Sequence, residues 1–235
     1  MTRPPAKSPR LVDRDHEILQ HILRYHLTTR DVLHRLFFPD SEPNAVTKVT
    51  SRLVLHGYLF RHELYLPKAY FILGPKGMRR FGLSPNKCKE FGPQALVREY
   101  GTLAYCCLGA QPRVRLTVNE IRERHPEIVQ GNLDSSHYYL DHDSDVTRLA
   151  YIRVDHGGAP DHIARKCKED ILSRSQYTVF QELIEHQRFM IAIATGTAEK
   201  AVAIREAINR YTWPIPIHAQ VVPDLAQLIA RFEGV

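Results

Sequence analysis

Apolar residues recur at helical spacing through the first part of the chain and predict three short helices. In the first helix, one face is formed by Ile18, Leu19, Ile22 and Leu23. The second begins near Thr28, whose spacing to Asp31 resembles a capping box. The third covers residues 44–56, with Asn44 as the expected N-cap, Gly57 beyond the carboxyl end, and a buried face of Val46, Val49 and Leu53.

Two strand patterns follow the third helix directly. Residues 58–61 and 69–73 are rich in aromatic and aliphatic side chains, and the polar stretch between them contains a proline. We expect a β-hairpin with a loose tip. A hairpin directly after three helices is the element order of a winged helix-turn-helix, and we predict that fold for residues 11–81. Residues 1–10 are basic and rich in proline and are expected to be disordered.

A turn-rich stretch at residues 82–93 predicts a linker to a second domain, residues 94–235. In that domain, residues 137–142 and 146–155 are strand-like and flank a tight acidic turn, which predicts a second hairpin. Residues 189–194 form a continuous apolar strand of the kind that is buried on both faces and implies a central parallel pair. Helical patterns separate these strands. We therefore predict an α+β winged helix followed by an α/β domain.

Charge is distributed unevenly between the two predicted domains. Residues 1–92 contain 16 Lys and Arg against 8 Asp and Glu, whereas residues 93–235 contain 16 against 18. The excess of positive charge therefore lies entirely in the first part. A basic domain attracts polyanions, because each neutralised phosphate releases condensed counterions. A solvated basic surface is the alternative, and DNA binding is the interpretation that we favour.

Two further features bear on the compartment of the protein. No apolar run reaches the roughly 18 residues of a membrane span, and residues 1–10 lack the apolar core of a signal peptide. The cysteines fit neither a disulfide framework nor a zinc knuckle; they are Cys88, Cys106, Cys107 and Cys167. We therefore expect a cytoplasmic protein with reduced, mostly buried thiols and no membrane partner.

The polar face of the predicted third helix has the residue types of a DNA-reading helix. Short side chains at Asn44, Thr47 and Ser51 can reach base edges, and the cations Lys48 and Arg52 can hold phosphates. We predict binding to double-stranded DNA on this face, with a homodimer reaching two half-sites. A polar helix face also suits a protein partner, which is the alternative. Around the hairpin tip, the expected DNA contacts are Arg61, His62 and Lys68.

Several short motifs resemble the bacterial replication-relaxation family. They are LVDRDHEIL from Leu11, TTRDVL from Thr28, GYL from Gly57, YFILGPKG from Tyr70 and, in the second domain, IRVDHG from Ile152. The resemblance covers most of the chain and implies a winged helix joined to a domain similar to the PD-(D/E)xK nuclease fold. Such proteins are associated with plasmids and mobile elements. The implied role is regulation of transcription or plasmid replication on a mobile element or defence locus.

The resemblance also implies where a nuclease metal site would lie. Asp141 or Asp143 would supply the first acid, with Asp155 and Lys166 completing the site and Mg²⁺ as the cofactor. This chain departs from the motif, because Arg153 stands where the second acid is expected and Asp155 where the lysine is expected. A guanidinium repels a metal ion. We therefore predict a degenerate, inactive domain without catalytic residues or cofactor, and a metal-dependent DNA nuclease is the alternative.

Overall fold

The computed structural model describes residues 11–143 and 146–233, except for the side chains of Lys87, Asp143 and Glu233. The predicted disordered segment 1–10 lies outside the described residues. The chain divides into two units between Phe91 and Gly92, a position inside the predicted linker. Each unit combines helices with a β-sheet, so the structure belongs to the mixed α and β class.

The first unit is built from helices around a small antiparallel sheet. Its elements are α1 (Asp13–Tyr25), β1 (Thr28–Thr29), α2 (Arg30–Phe37), α3 (Pro43–Leu55), β2 (Leu59–Tyr65), β3 (Lys68–Leu73) and α4 (Pro75–Arg80), followed by a 3₁₀ turn at Pro85–Lys87. The strands are ordered β1–β3–β2. The predicted hairpin is confirmed as β2 and β3. The short strand β1 was not predicted, because two residues are too few to show an alternating pattern.

The core of the first unit lies between its helices and one face of the sheet. The hairpin contributes Leu59, Phe71 and Leu73 to this core. The predicted inward faces of α1 and α3 are confirmed, although Leu23 and Val49 are only half-buried. The residues that the helices and the segment after α2 contribute are Ile18, Leu19, Ile22, Leu33, Phe38, Val46 and Leu53.

The amino end of α2 differs from its predicted cap by one residue. The N-cap is Thr29, whose hydroxyl accepts a hydrogen bond from the Val32 amide at 3.4 Å. Thr28 instead lies in β1, where its hydroxyl is 3.1 Å from Nε2 of His21. The predicted capping box is therefore wrong, because the backbone of Thr28 is used by the sheet.

The predictions for the two ends of α3 had different outcomes. Its N-cap is Glu42, and Pro43 occupies the first helical position, which the fixed φ of proline favours. Asn44 is therefore inside the first turn, and its prediction as the cap is wrong. At the carboxyl end, Gly57 has a φ of 76°, the left-handed conformation that glycine adopts most readily. The predicted end of the helix is confirmed.

The second unit is built on a longer mixed sheet. Its elements are α5 (Pro93–Cys107), β4 (Arg113–Arg115), α6 (Val118–Arg124), β5 (Tyr138–Asp143), β6 (Val146–Val154), α7 (Pro160–Arg174), α8 (Thr178–Glu185), β7 (Phe189–Thr195), α9 (Ala198–Asn209), β8 (Ile217–Val221) and α10 (Leu225–Glu233), with a 3₁₀ turn at Pro126–Ile128. The strands are ordered β4–β5–β6–β7–β8. Neighbours are antiparallel from β4 to β6 and parallel from β6 to β8. The predicted hairpin and parallel pair are both confirmed.

Every residue of β7 is buried, because helices cover both faces of the sheet. On one face, Ile191 and Ile193 pack with apolar residues of α7 and α9. On the other face, α5 lies so close to β6 that a Cβ at Gly101 would be 2.6 Å from the Val154 side chain. Glycine at this position permits the close contact between helix and sheet.

Two expectations about the chain as a whole can be compared with these elements. Among the described residues, no helix combines the length and apolar composition that crossing a membrane requires. None of the four cysteines forms a disulfide, and three of them, Cys106, Cys107 and Cys167, are buried. The prediction of mostly buried thiols outside any disulfide framework is therefore confirmed.

Candidate nucleic-acid interface

Helix α3 presents a polar face opposite the face that holds it on the core. The buried face consists of Val46, Thr50 and Leu53, each at most 2% exposed. The Thr50 hydroxyl donates to the Val46 carbonyl at 2.9 Å, so this buried polar group is satisfied within the helix. Ala45, Val49 and Val54 are partly buried and also pack against the core, and helical spacing places several polar side chains of α3 on the opposite face. They include the four polar residues Asn44, Thr47, Lys48 and Ser51.

These four side chains are not engaged by the protein itself. Asn44, Lys48 and Ser51 are exposed, and Thr47 is half-buried. None of the four side chains forms a hydrogen bond or ion pair with another residue in the described part of the chain. Amide, hydroxyl and ammonium groups on one helix face supply donors and acceptors for an external polar ligand.

A cleft of about 510 Å³ lies between the beginning of α2 and the beginning of α3. Asn44 and Thr47 line it from α3. Arg30, Asp31 and His34 line it from α2, and the Asp31 carboxylate is paired with Lys68. His34 Nε2 donates to the Ser41 carbonyl at 2.8 Å, which fixes α2 to the loop before α3. Arg30 therefore adds a cation beside the amino end of α3, where the helix dipole also favours an anion. The sequence pattern missed Arg30, because only the packing of the two helices places it next to this face.

Arg52, the second predicted phosphate contact on α3, is engaged within the first unit. Its Nη2 donates to Oδ1 of Asp15 at 2.7 Å. Asp15 is 1% exposed and also accepts a hydrogen bond from the Val12 amide at 3.0 Å. Arg52 therefore connects α3 to α1 and neutralises a buried carboxylate. Of the two predicted cations of α3, Lys48 is the one without an ion pair among the residues described.

Two of the three predicted hairpin contacts lie away from the tip, which is formed by Leu66–Pro67. Arg61 is exposed but lies in the middle of β2. The ring of His62 packs against Tyr70 with centroids 5.4 Å apart, and its Nδ1 is 3.8 Å from Oε2 of Glu90. His62 is therefore half-buried against the sheet. The expectation that both residues surround the tip is wrong, because the strand continues past them to Tyr65.

The third hairpin residue, Lys68, does lie beside the tip. Its ammonium donates to Oδ2 of Asp31 on α2 at 2.8 Å. Both side chains of this pair are exposed. An exposed ion pair contributes little to stability and exchanges readily for another anion, so this contact leaves Lys68 able to bind a phosphate.

In the second unit, the carboxylate of Asp141 on β5 is neutralised by a neighbouring guanidinium. Nε of Arg113 on β4 donates to Oδ2 of Asp141 at 3.0 Å, and both side chains are buried. The same guanidinium lies 3.9 Å from the centre of the Tyr105 ring. The acid that the resemblance assigns to a metal site therefore belongs to a buried ion pair. The side chain of Asp143, the other candidate for that position, lies outside the described residues.

Asp155 lies at the other end of β6 from Asp141. The strand register pairs Asp141 with Arg148 on β6. Asp155 follows Arg148 by seven residues, which span about 23 Å along an extended strand. The carboxylate of Asp155 accepts hydrogen bonds from the Thr195 hydroxyl at 3.0 Å and the Gly157 amide at 2.9 Å. The bond from Thr195 joins the end of β6 to the end of β7, and the bond from Gly157 holds the turn that follows β6. The two acids are therefore too far apart to hold one metal ion.

The other residues of the implied metal site are also engaged elsewhere. Lys166 donates to Glu169 at 2.7 Å within α7, and Arg153 donates to Asp170. In residues 11–143 and 146–233, no group of three or more His, Cys, Asp or Glu side chains is arranged to hold a metal ion. The described residues do not bring together the acids and the lysine of the nuclease alternative.

Comparison with protein-family models, with curated proteins and with solved structures finds no match to this chain. The function is therefore inferred from the side chains and charges of the two units themselves.

Proposed function

We propose that this chain is a sequence-specific, double-stranded DNA-binding protein in which residues 11–81 act as a winged helix-turn-helix and α3 is the recognition helix. The observation that carries the proposal is the polar face of α3. Its members are bonded to no other side chain in the described residues; they are Asn44, Thr47, Lys48 and Ser51. The family resemblance favours a regulator of transcription or plasmid replication on a mobile element or defence locus.

The chemistry of this face suits duplex DNA. An α-helix fits the major groove, where each base pair presents its own pattern of donors and acceptors. The hydroxyls of Thr47 and Ser51 and the amide of Asn44 both donate and accept hydrogen bonds, so they are able to distinguish base edges. The Lys48 ammonium only donates and carries a full charge, which suits a phosphate.

The charge balance of the first part of the chain supports the same ligand. Residues 1–92 contain 16 basic against 8 acidic side chains. Arg30 lies in the cleft beside the amino end of α3, and Arg61 is exposed on β2. Such an excess of positive charge attracts a polyanion, whereas recognition of an ordinary protein partner does not require it.

Fluorescence anisotropy with a labelled random-sequence duplex tests the proposal. We expect binding that weakens as the salt concentration rises, because phosphate contacts release counterions. Lys48→Ala should weaken binding to all duplexes severalfold and reduce the slope of the salt dependence by about one. Thr47→Ala and Ser51→Ala should instead change which fragments are selected from genomic DNA. Arg122→Ala removes an exposed cation of α6 and is the matched control for Lys48→Ala. It should change neither the affinity nor the slope of the salt dependence.

Two results would refute this assignment. If the protein shows no salt-dependent binding to any duplex, the first unit is better explained as a protein-interaction module. If Lys48→Ala, Thr47→Ala and Ser51→Ala lose affinity equally on every sequence, the division between phosphate contacts and base contacts is incorrect.

A further inference from the structure

A groove of about 520 Å³ opens on the surface of the second unit between α7, α8 and residues 211–214, and we term it the α7–α8 groove. Among the large apolar side chains described in residues 92–235, the two most exposed both line it, Leu172 at 56% and Tyr211 at 55%. These two exposed apolar side chains lie in one concave place, where a partner surface can cover both of them. The other apolar residues of its walls include Ile171, Ile184 and Trp213.

The aromatic residues of the groove are held in place before any partner binds. Nε1 of Trp213 donates to the Ile208 carbonyl at 2.8 Å. Its ring meets that of Tyr211 edge-on, with centroids 5.7 Å apart. Tryptophan and tyrosine are enriched among the residues that dominate binding energy at interfaces. Side chains that are already ordered lose little conformational entropy on binding, so this pair is suited to an interface.

Two opposite charges stand on different walls of the groove. Lys168 is on α7 and Glu185 is at the end of α8, and both are exposed. Neither has an ion-pair or hydrogen-bond partner within the ranges that the structure describes. One cation and one carboxylate give no net attraction for a strongly acidic or basic ligand. A two-fold axis that passes between Lys168 and Glu185 would place each charge opposite its counterpart on a second copy, so the charges of the groove are compatible with self-association.

We propose that the α7–α8 groove is the interface through which two copies of this chain form a symmetric homodimer. Each Lys168 pairs with Glu185 of the partner subunit at the rim, and Leu172, Tyr211 and Trp213 of both copies are buried at the centre. A dimer carries two copies of α3, which suits a DNA site with two half-sites. The interface itself rests on the groove and does not require DNA.

Sedimentation velocity of the full chain without DNA, over about 1 to 100 µM, tests the proposal. We expect a monomer–dimer equilibrium, with the emission of Trp213, the single tryptophan, shifting to shorter wavelength as dimer forms. Lys168→Glu and Glu185→Lys should each raise the dissociation constant about tenfold or more, because one reversal places like charges at two symmetric contacts. The double variant restores opposite pairs and should dimerise like the original chain. Glu123→Lys, a charge reversal on α6 outside the groove, should have no effect.

Three outcomes would overturn the proposal. They are a monomer at every concentration, a dimer with the same dissociation constant in all the variants, and a double variant no stronger than the single ones. Leu172→Ser provides a check that does not depend on charge, and it should weaken the dimer while circular dichroism shows an unchanged fold. Because no DNA is present in these measurements, a negative result leaves the proposed DNA binding unaffected.

Discussion

Replacing Arg52 with alanine removes the cation that neutralises the buried Asp15. The guanidinium donates to this carboxylate at 2.7 Å, and the Val12 amide donates at 3.0 Å. A hydrogen bond to a charged group contributes about 1.5–3 kcal/mol, and breaking a fully buried ion pair costs about 3–5 kcal/mol. The Arg52 side chain is 33% exposed, so water reaches the site and the lower range applies. We expect the free energy of unfolding to fall by about 2–3 kcal/mol, a large part of the roughly 5–15 kcal/mol typical of a domain.

Lys48→Ala is the matched control, because both changes remove one cation from α3 and both introduce alanine. Lys48 has no ion pair among the described residues, so its replacement should change the free energy of unfolding by less than about 0.5 kcal/mol. Urea denaturation of the full chain, followed by far-ultraviolet circular dichroism, measures both variants. Trp213 lies in the second unit, so its fluorescence shows separately whether that unit is unaffected.

Equal stability of the Arg52 and Lys48 variants would refute the structural role of Arg52. A double-mutant cycle with Asp15→Asn makes the test sharper. If the ion pair carries the effect, the losses from Arg52→Ala and Asp15→Asn are less than additive by about 1 kcal/mol or more. Additive losses would mean that Arg52 stabilises the unit through some other contact.

Two further predictions concern buried polar groups. Burial, with a smaller contribution from Arg24, lowers the pKa of His21 to about 4 from an ordinary value of 6.5. Between these two pKa values, the His21 imidazole is protonated in the unfolded chain but neutral in the folded state. Acid therefore favours the unfolded chain, and the free energy of unfolding should fall by about 2 kcal/mol from pH 7 to pH 5. His21→Gln should remove most of this dependence in urea denaturation, and an unchanged dependence would contradict it. In the second unit, Arg174 is 2% exposed and donates to the Tyr138 hydroxyl at 2.8 Å. Arg174→Met should lower the free energy of unfolding by about 2–3 kcal/mol, and a fluorescence midpoint that does not move would contradict this reasoning.

The pattern of apolar residues along the chain was sufficient to predict the elements that position the candidate interface. Val46 and Leu53 recur at helical spacing and Gly57 supplies the left-handed residue at the end, so α3 and its exposed face follow from local sequence. The second hairpin and the buried strand β7 were predicted for the same reason. The amino ends of α2 and α3 were not, because a cap depends on a single backbone conformation and not on a repeated pattern.

Only the tertiary structure decides which polar side chains are left to bind a ligand. Lys48 and Arg52 are equivalent cations in the sequence of α3, yet Asp15, 37 residues before Arg52, pairs with Arg52 alone. Asp141 and Asp155 both have the chemistry of metal ligands, but the strand register places Asp141, on β5, beside the start of β6, whereas Asp155 follows the end of β6. Each of these relations joins segments that are distant along the chain. The local spacing of residues carries no information about such relations, which are set when helices and strands pack together.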